Sequence, residues 1–251
     1  MKKYIKWGIF TVLFLAILFL LFLYWDHSHK NEDVYDKLAK TYETVEEEEP
    51  EDTGSAEELI DIPIDFAALQ QENPDIYAWI RIPDTTVDYP ILQSSTDNSY
   101  YLNHTVDHQT GFPGSIYTEN LNAKDFSDPN TVIYGHKMNN DTMFGGLYRY
   151  ADETYLKEHA QIYIYTPDHI LTYQVFAAVT YDNRHIMYSF DFTDPTQYQA
   201  YFDSLRSVRN MSTYWDESID VTIEDRIITL STCNGNDAQR FLVEAVLIDE
   251  K

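Results

Sequence analysis

The sequence predicts a mainly β protein with inserted helices, and its many short strands favour a closed or nearly closed β-barrel. The chain of 251 residues contains 21 tyrosines, which together with its many Val, Ile and Thr residues favour strands. Its short apolar runs are bounded by Gly, Pro, Asn and Asp, the pattern of strands joined by turns. The low counts of 8 glycines and 9 prolines argue against a disordered body.

The amino-terminal sequence, a short basic segment followed by an apolar run, predicts a cytoplasmic N-terminus at 1–6 and a transmembrane anchor at 7–25. Residues 7–25 are almost all apolar, and a helix with a rise of ~1.5 Å per residue would extend about 29 Å, close to the ~30 Å hydrocarbon core. Lys2, Lys3 and Lys6 precede this run, so the positive-inside rule places the body outside the cytoplasm. A cleavable signal peptide is the alternative, but no Ala-x-Ala site occurs at 21–29. The prediction is therefore a single-pass protein.

Residues 26–60 predict an acidic extracellular tether, and residues 61–251 predict one folded domain. The acidic run at 46–52 cannot bury enough apolar surface to offset its lost chain entropy, so an extended and solvated conformation is expected. About 190 residues remain, enough for one well-cored domain. The formal net charge of −25 argues against a nucleic-acid partner, because an acidic surface repels phosphate.

Helices are predicted from capping residues and from the helical spacing of apolar side chains. Residues 64–73 have this spacing and end before a proline. A helix through 197–209 has Asp194 as its N-cap and Pro195 in its first turn. Two shorter helices are expected at 75–79 and 152–157.

Strands are predicted where a short β-branched or aromatic run lies between turn residues. The runs at 161–165 and 170–180 are expected to form a hairpin about the polar turn 166–169. Proline limits the first two strands to an edge or an end. In chain order the predicted strands are 79–83, 87–92, 115–118, 131–136, 161–165, 170–180, 218–223, 227–232 and 240–248.

The strand at 227–232 leads to Cys233, the only cysteine of the chain. A lone cysteine is usually a small buried apolar residue. Outside the cell, however, a free thiol without a function would be exposed to oxidants, and this favours a functional role for Cys233. Arg240 follows the turn residues 234–237 at the head of the next strand, where it would hold a guanidinium beside the thiol. A disulfide within the chain is impossible, and a zinc site built on clustered thiols is excluded.

His136 is the candidate acid–base residue among the 8 histidines. It ends an apolar strand directly after Gly135, a residue that permits close approach of neighbouring groups. A structural histidine at the barrel rim is the alternative interpretation. For His159, His169 and His185, which lie near strand ends or loops, a surface role is the default.

These residues carry a resemblance to a known family. The segment Tyr134-Gly135-His136 followed by 139–144, the strand 229–233 and the downstream Arg240 resemble the sortases, membrane-anchored cysteine transpeptidases of Gram-positive bacteria. Class B is indicated by residues 73–75, 79–83, 88–90 and 98–102 and by the helix before the last strands. The resemblance covers about residue 61 to the carboxy terminus.

The resemblance implies an eight-stranded sortase β-barrel with N-terminal helices and a helix before the last strands. It implies that Cys233 is the nucleophile, His136 the general acid and base, and Arg240 the stabiliser of the oxyanion or of the bound substrate. No metal and no cofactor are expected. The substrate-binding residues implied by the resemblance are Asn98, Ser231 and Thr232.

The expected partners are surface proteins with a C-terminal sorting signal and an amine acceptor. The enzyme would cleave the sorting motif after Thr through a thioacyl intermediate and transfer the acyl group to an amine of a cell-wall precursor. Three alternatives remain open: a pilin lysine as the acceptor, a surface cysteine protease with water as the acceptor, and a non-catalytic anchored β-domain that binds a partner. The last alternative predicts that Cys233→Ala leaves function intact.

Overall fold

The computed structural model describes residues 2–42, 61–210 and 212–251. Helix α1 spans Lys2–Tyr42. The sequence predicted a membrane anchor at 7–25, but among the described residues no helix is long and apolar enough to cross a membrane. The acidic run at 46–52 lies outside the described residues.

The second half of α1 differs from the extended tether that the sequence predicted. Residues 26–42 are helical, and Asn31 and Tyr35 are only 4% and 2% exposed. Val34, Leu38 and nearby apolar side chains pack against the same core as the barrel. The burial of these side chains offsets the entropy lost on ordering the helix, and residues 26–42 are thereby part of the folded body.

The domain is an eight-stranded barrel, as predicted. The strands are β1 Ile76–Arg81, β2 Asp88–Leu92, β3 Ile116–Thr118, β4 Asn130–Tyr134, β5 Gln161–Tyr165, β6 Ile170–Asp182, β7 Tyr214–Trp215, β8 Ile227–Cys233 and β9 Gln239–Glu250. The strand order in the barrel is β5-β1-β2-β3-β4-β8-β9-β6, and the pairing of β6 with β5 closes it. The pairs β2–β3 and β4–β8 are parallel, and the other barrel pairs are antiparallel.

The barrel carries short helices in its connections. The predicted helix at 64–73 is present as α2, Phe66–Glu72, and Asp65 caps it by accepting from the backbone N–H of Ala68 at 2.9 Å. Gly145–Ala151 and Tyr100–Leu102 form 3₁₀ helices. The α-helices after α1 are α2 Phe66–Glu72, α3 Glu153–Glu158, α4 Ile186–Ser189 and α5 Pro195–Ser207.

Helix α5 covers one outer face of the barrel. Asp194 caps it by accepting from the N–H of Thr196 at 2.8 Å, as the sequence predicted. Its buried side chains, Tyr198, Tyr201, Phe202 and Leu205, form a second core with residues of β4, β6, β8 and β9.

Two predicted elements were wrong. Residues 75–79, predicted as a short helix, belong to strand β1, which pairs with both β2 and β5. The strand predicted at 218–223 is not formed. There, the backbone N–H and the hydroxyl of Ser218 both donate to the carboxylate of Asp216. This local turn competes with sheet pairing, and the short strand β7 before it pairs with β6 instead.

Candidate active site

Strand β8 carries Cys233 to the end of the barrel. Six residues of this strand are buried, and Cys233, the last, is exposed. In the antiparallel pair β8–β9, Cys233 lies directly opposite Arg240. Opposite residues have Cβ atoms about 4.5–5.5 Å apart on the same face of a sheet, so the thiol and the guanidinium share one surface.

Strand β4 brings His136 to the same end. Because β4 and β8 are parallel, with Tyr134 opposite Ser231, both strands end on one side of the barrel. The pairing continues for one further hydrogen bond, from the N–H of Gly135 to the carbonyl of Ser231 at 3.2 Å. His136 and Cys233 each follow their paired residue by two positions, so they emerge next to each other.

Gly135 lies in a space that has no room for a side chain. A Cβ atom there would stand 2.6 Å from Cδ2 of Phe144 and would also meet the side chain of Ile116. The expectation that this glycine permits close approach agrees with that packing. The backbone before His136 is therefore held between two buried apolar side chains.

The imidazole of His136 is oriented by two neighbours. Its Nε2 lies 2.7 Å from the carbonyl oxygen of Leu102, and its ring is 4.9 Å from the ring of Phe112, centroid to centroid. A carbonyl oxygen only accepts hydrogen bonds, so Nε2 carries the proton in this contact. Nδ1 is consequently the nitrogen that can exchange a proton with a reacting group.

The loop between Cys233 and Arg240 is held by side-chain amides. Gln239 Oε1 accepts from Asn234 at 3.1 Å and from Asn236 at 3.3 Å. Gly235 has φ +88°, a conformation that favours glycine. Arg240 Nη1 donates to the Gln239 carbonyl at 2.7 Å. A guanidinium has five N–H donors, so donors remain for a ligand in the groove.

A groove of about 390 Å³ contains Cys233, His136 and Arg240 in its lining. Of the three predicted substrate contacts, Ser231 and Thr232 also line it. They are 5% and 3% exposed.

Asn98, the third predicted contact, is not among the residues that line the groove. Its side-chain oxygen accepts from the N–H of Asn120 at 2.9 Å. Its neighbour Ser99 lines the groove.

One part of the groove lining was not predicted from the sequence. His185, for which a surface role was the default, lies there with Glu119, and Nε2 of His185 is 3.0 Å from Glu119 Oε1. Glu119 Oε2, His185 Nδ1 and the hydroxyl of Tyr134 are buried and have no hydrogen-bond partner within the described part of the chain. These groups come from β4 and from the segments after β3 and β6.

Two tyrosines of the groove stay protonated. Burial raises the pKa of Tyr134 and of Tyr117 above the ordinary value, and the nearby Glu119 carboxylate raises both further. Their rings stack with centroids 5.4 Å apart. The lining of the groove therefore includes two stacked aromatic rings with neutral hydroxyls.

A barrel of this topology, with a thiol, an imidazole and a guanidinium at one groove, is the architecture of the sortases. The family described as "Sortase domain" matches residues 80–248. Sortase B of Listeria monocytogenes is 38% identical over 168 residues, which cover 66% of this chain and 65% of that protein. This chain thus spans slightly less than two thirds of the Listeria relative.

Two solved structures have the same fold. Sortase B from B. anthracis, in complex with AAEK1, is 29% identical with a TM-score of 0.71, covering 88% of this chain and 97% of that one. A Staphylococcus aureus sortase B–substrate complex is 30% identical with a TM-score of 0.64, covering 73% and 84%. The chain belongs to the sortase family, and its relatives are of class B, which confirms the resemblance.

Proposed function

We propose that this chain is a cysteine transpeptidase that sorts surface proteins. The observation that carries the proposal is the convergence of Cys233, His136 and Arg240 on one groove of a sortase B barrel. Sortases are cysteine transpeptidases, and the single cysteine of this chain is consistent with that activity. A Staphylococcus aureus sortase B forms a complex with a substrate, and we infer that the groove of this chain binds one as well.

In the first half of the reaction, the proton of the Cys233 thiol passes to His136, and the sulfur attacks the carbonyl carbon of the threonine in the sorting motif. A C–S bond forms, and the N–H donors of the Arg240 guanidinium stabilise the oxyanion. The C–N bond then breaks, and His136 gives a proton to the departing amine. The product is a thioacyl enzyme.

In the second half, an amine attacks the thioester carbonyl. His136 takes a proton from the attacking nitrogen, the new C–N bond forms, the C–S bond breaks, and the proton passes from His136 back to the Cys233 sulfur. We infer that the acceptor is the amine of a cell-wall precursor. A pilin lysine and water are the competing acceptors, and the mass of the product distinguishes all three.

The experiment is to incubate the protein with a library of sorting-signal peptides and to trap the adduct by mass spectrometry. The expected result is one acyl group on Cys233 for a subset of motifs, released by glycine or diamine acceptors as an amide. Cys233→Ala is the control and should form no adduct. Absence of an adduct with every motif would refute the transpeptidase assignment, and release only as the free acid would favour the protease.

We further propose that the protein works at the cell surface with its N-terminus inside the cell. The basic residues 2–6, the apolar run at 7–25 and the exposure of large apolar side chains such as Phe14 and Leu20 support attachment to a lipid bilayer. Alkaline extraction of membranes tests this: the full chain should stay in the pellet. Its release into the soluble fraction would contradict the anchored topology.

A further inference from the structure

Helix α1 contacts a loop that lies beside the groove. Asn31 Nδ2 donates to the carbonyl of Phe112 at 2.8 Å, and the hydroxyl of Tyr35 donates to the carbonyl of Gly114. The hydroxyl oxygen of Tyr35 also lies 2.9 Å from Ser115 Oγ and accepts a hydrogen bond from the N–H of Val106 at 3.2 Å. The segment from Phe112 to Ser115, here called the 112–115 loop, is thus fixed by two buried polar side chains of α1.

The 112–115 loop supplies one of the two groups that orient His136 and packs against the other, the carbonyl of Leu102. Phe112 contributes the ring against the imidazole. Gly114, at φ +65°, packs so closely on the Leu102 carbonyl that a Cβ atom would stand 2.5 Å from its oxygen. That oxygen is the acceptor for Nε2 of His136.

A backbone hydrogen bond completes the connection. The N–H of Ser115 donates to the carbonyl of Tyr101 at 2.9 Å, which ties the loop to the 3₁₀ helix Tyr100–Leu102. A continuous series of contacts therefore leads from Tyr35 through Gly114 and Leu102 to the imidazole.

We propose that Asn31 and Tyr35 are positioning residues for His136. By fixing the 112–115 loop they fix the Leu102 carbonyl, which selects the Nε2–H tautomer and directs Nδ1 toward the reacting groups. Activity then depends on whether the second half of α1 is docked on the barrel. This inference rests on the proposed function of His136 as the general acid and base.

A purely structural role for Tyr35 would give a different result, and the chain supplies a matched control. Tyr150 is 1% exposed, and its hydroxyl donates to the carbonyl of His159 at 2.8 Å, on a 3₁₀ helix and loop that do not line the groove. Tyr35→Phe and Tyr150→Phe each remove one buried hydroxyl that donates to a backbone carbonyl. Both should lower the thermal midpoint.

The experiment compares both variants in the full chain by steady-state transpeptidation and by ¹⁵N NMR of the imidazoles. The His136 resonances are assigned by their loss in His136→Gln. Tyr35→Phe should lower kcat about tenfold with KM within about twofold, because misplacing a catalytic group by a fraction of an ångström affects the chemical step. Its His136 nitrogen shifts should move toward a tautomer mixture, whereas Tyr150→Phe should keep wild-type values of both.

Wild-type kcat and His136 shifts in Tyr35→Phe, with a lowered thermal midpoint, would overturn the inference. An equal loss of kcat in both variants would overturn it as well. Should Tyr35→Phe fail to fold, Asn31→Leu removes only the bond to Phe112 and should shift the same resonances. Should the wild-type chain show no transpeptidation, the proposed function fails, and the NMR comparison still decides whether α1 positions the imidazole.

Discussion

Glu244 is a fully buried carboxyl group whose ionisation should control the stability of the barrel. It lies on β9 opposite Thr229 and is 0% exposed. Tyr201 of α5 donates to Oε1 at 2.7 Å, and the Thr229 hydroxyl lies 2.8 Å from Oε2 and 3.1 Å from the side-chain oxygen of Asn130. Burial raises the pKa of Glu244 from 4.5 to about 7.

The hydrogen-bond pattern is consistent with a protonated carboxyl group. Thr229 has one hydroxyl proton and two neighbouring acceptors, so it can satisfy Asn130 only if Glu244 donates to it in turn. With Glu244 protonated, Tyr201 donates to Glu244, Glu244 to Thr229, and Thr229 to Asn130. Loss of the Glu244 proton leaves one of these oxygens without a donor in a buried site, which costs about 1–3 kcal/mol.

The pH dependence follows from the raised pKa. The folded state holds the Glu244 proton up to about pH 7, whereas the unfolded chain releases it near pH 4.5. The contribution of Glu244 to the unfolding free energy is therefore fully present below about pH 4.5, decreases as the pH rises to about 7, and does not change further above that. At about 1.4 kcal/mol per pH unit, the loss is roughly 3 kcal/mol.

Urea unfolding at several pH values between 4.5 and 8 measures this loss. Glu244→Gln keeps the shape of the side chain and removes its titration. As the pH rises across this range, the unfolding free energy of the wild type should therefore fall by roughly 3 kcal/mol relative to that of the variant. The comparison with the wild type cancels the histidines, which titrate in both. Parallel pH profiles for the two proteins would refute the reasoning.

Three further predictions concern the groove. Arg240→Lys should lower kcat/KM for transpeptidation about 10²-fold, since an ammonium lacks the planar fork that fits a carbonyl or oxyanion, and near wild-type kinetics would remove the assigned role. Gly135→Ala should cost about 1–3 kcal/mol in urea unfolding through its contact with Phe144 and displace His136; unchanged stability would contradict the packing. Cys233 should react with a maleimide in the folded chain, because it is exposed, and labelling only after denaturation would show a buried thiol.

The elements that the sequence predicted correctly are those with local signals. The hairpin of β5 and β6 is marked by a polar turn between two aromatic and β-branched runs. Helix α5 is marked by its Asp194 cap and by Pro195. Each signal lies within a few residues of the element it predicts, so no information about distant contacts is needed.

The errors occurred where a distant partner decides the conformation. The 75–79 segment is short and almost wholly apolar, a pattern that does not distinguish a helix from a fully buried strand, and pairing with β2 and β5 makes it β1. Helix α1 continues through 26–42 because Tyr35 contacts Gly114, 79 residues later in the chain. The contact of Glu119 with His185 spans 66 residues and likewise has no local signal.

The geometry of the candidate site follows from two strand pairings. The antiparallel pair β8–β9 returns the chain at once, so the proximity of Arg240 to Cys233 could be predicted from the short loop between them. The parallel pair β4–β8 joins strands that are far apart in the sequence. A strand exit predicts where His136 leaves the sheet, but not which strand is its neighbour.

Because side chains alternate between the two faces, a slip of one residue between β4 and β8 would turn either His136 or Cys233 away from the groove. The hydrogen bond from the N–H of Gly135 to the carbonyl of Ser231 holds this register. Gly135 therefore contributes to the site through its backbone pairing, and Phe144 and Ile116 leave no room for a side chain at this position.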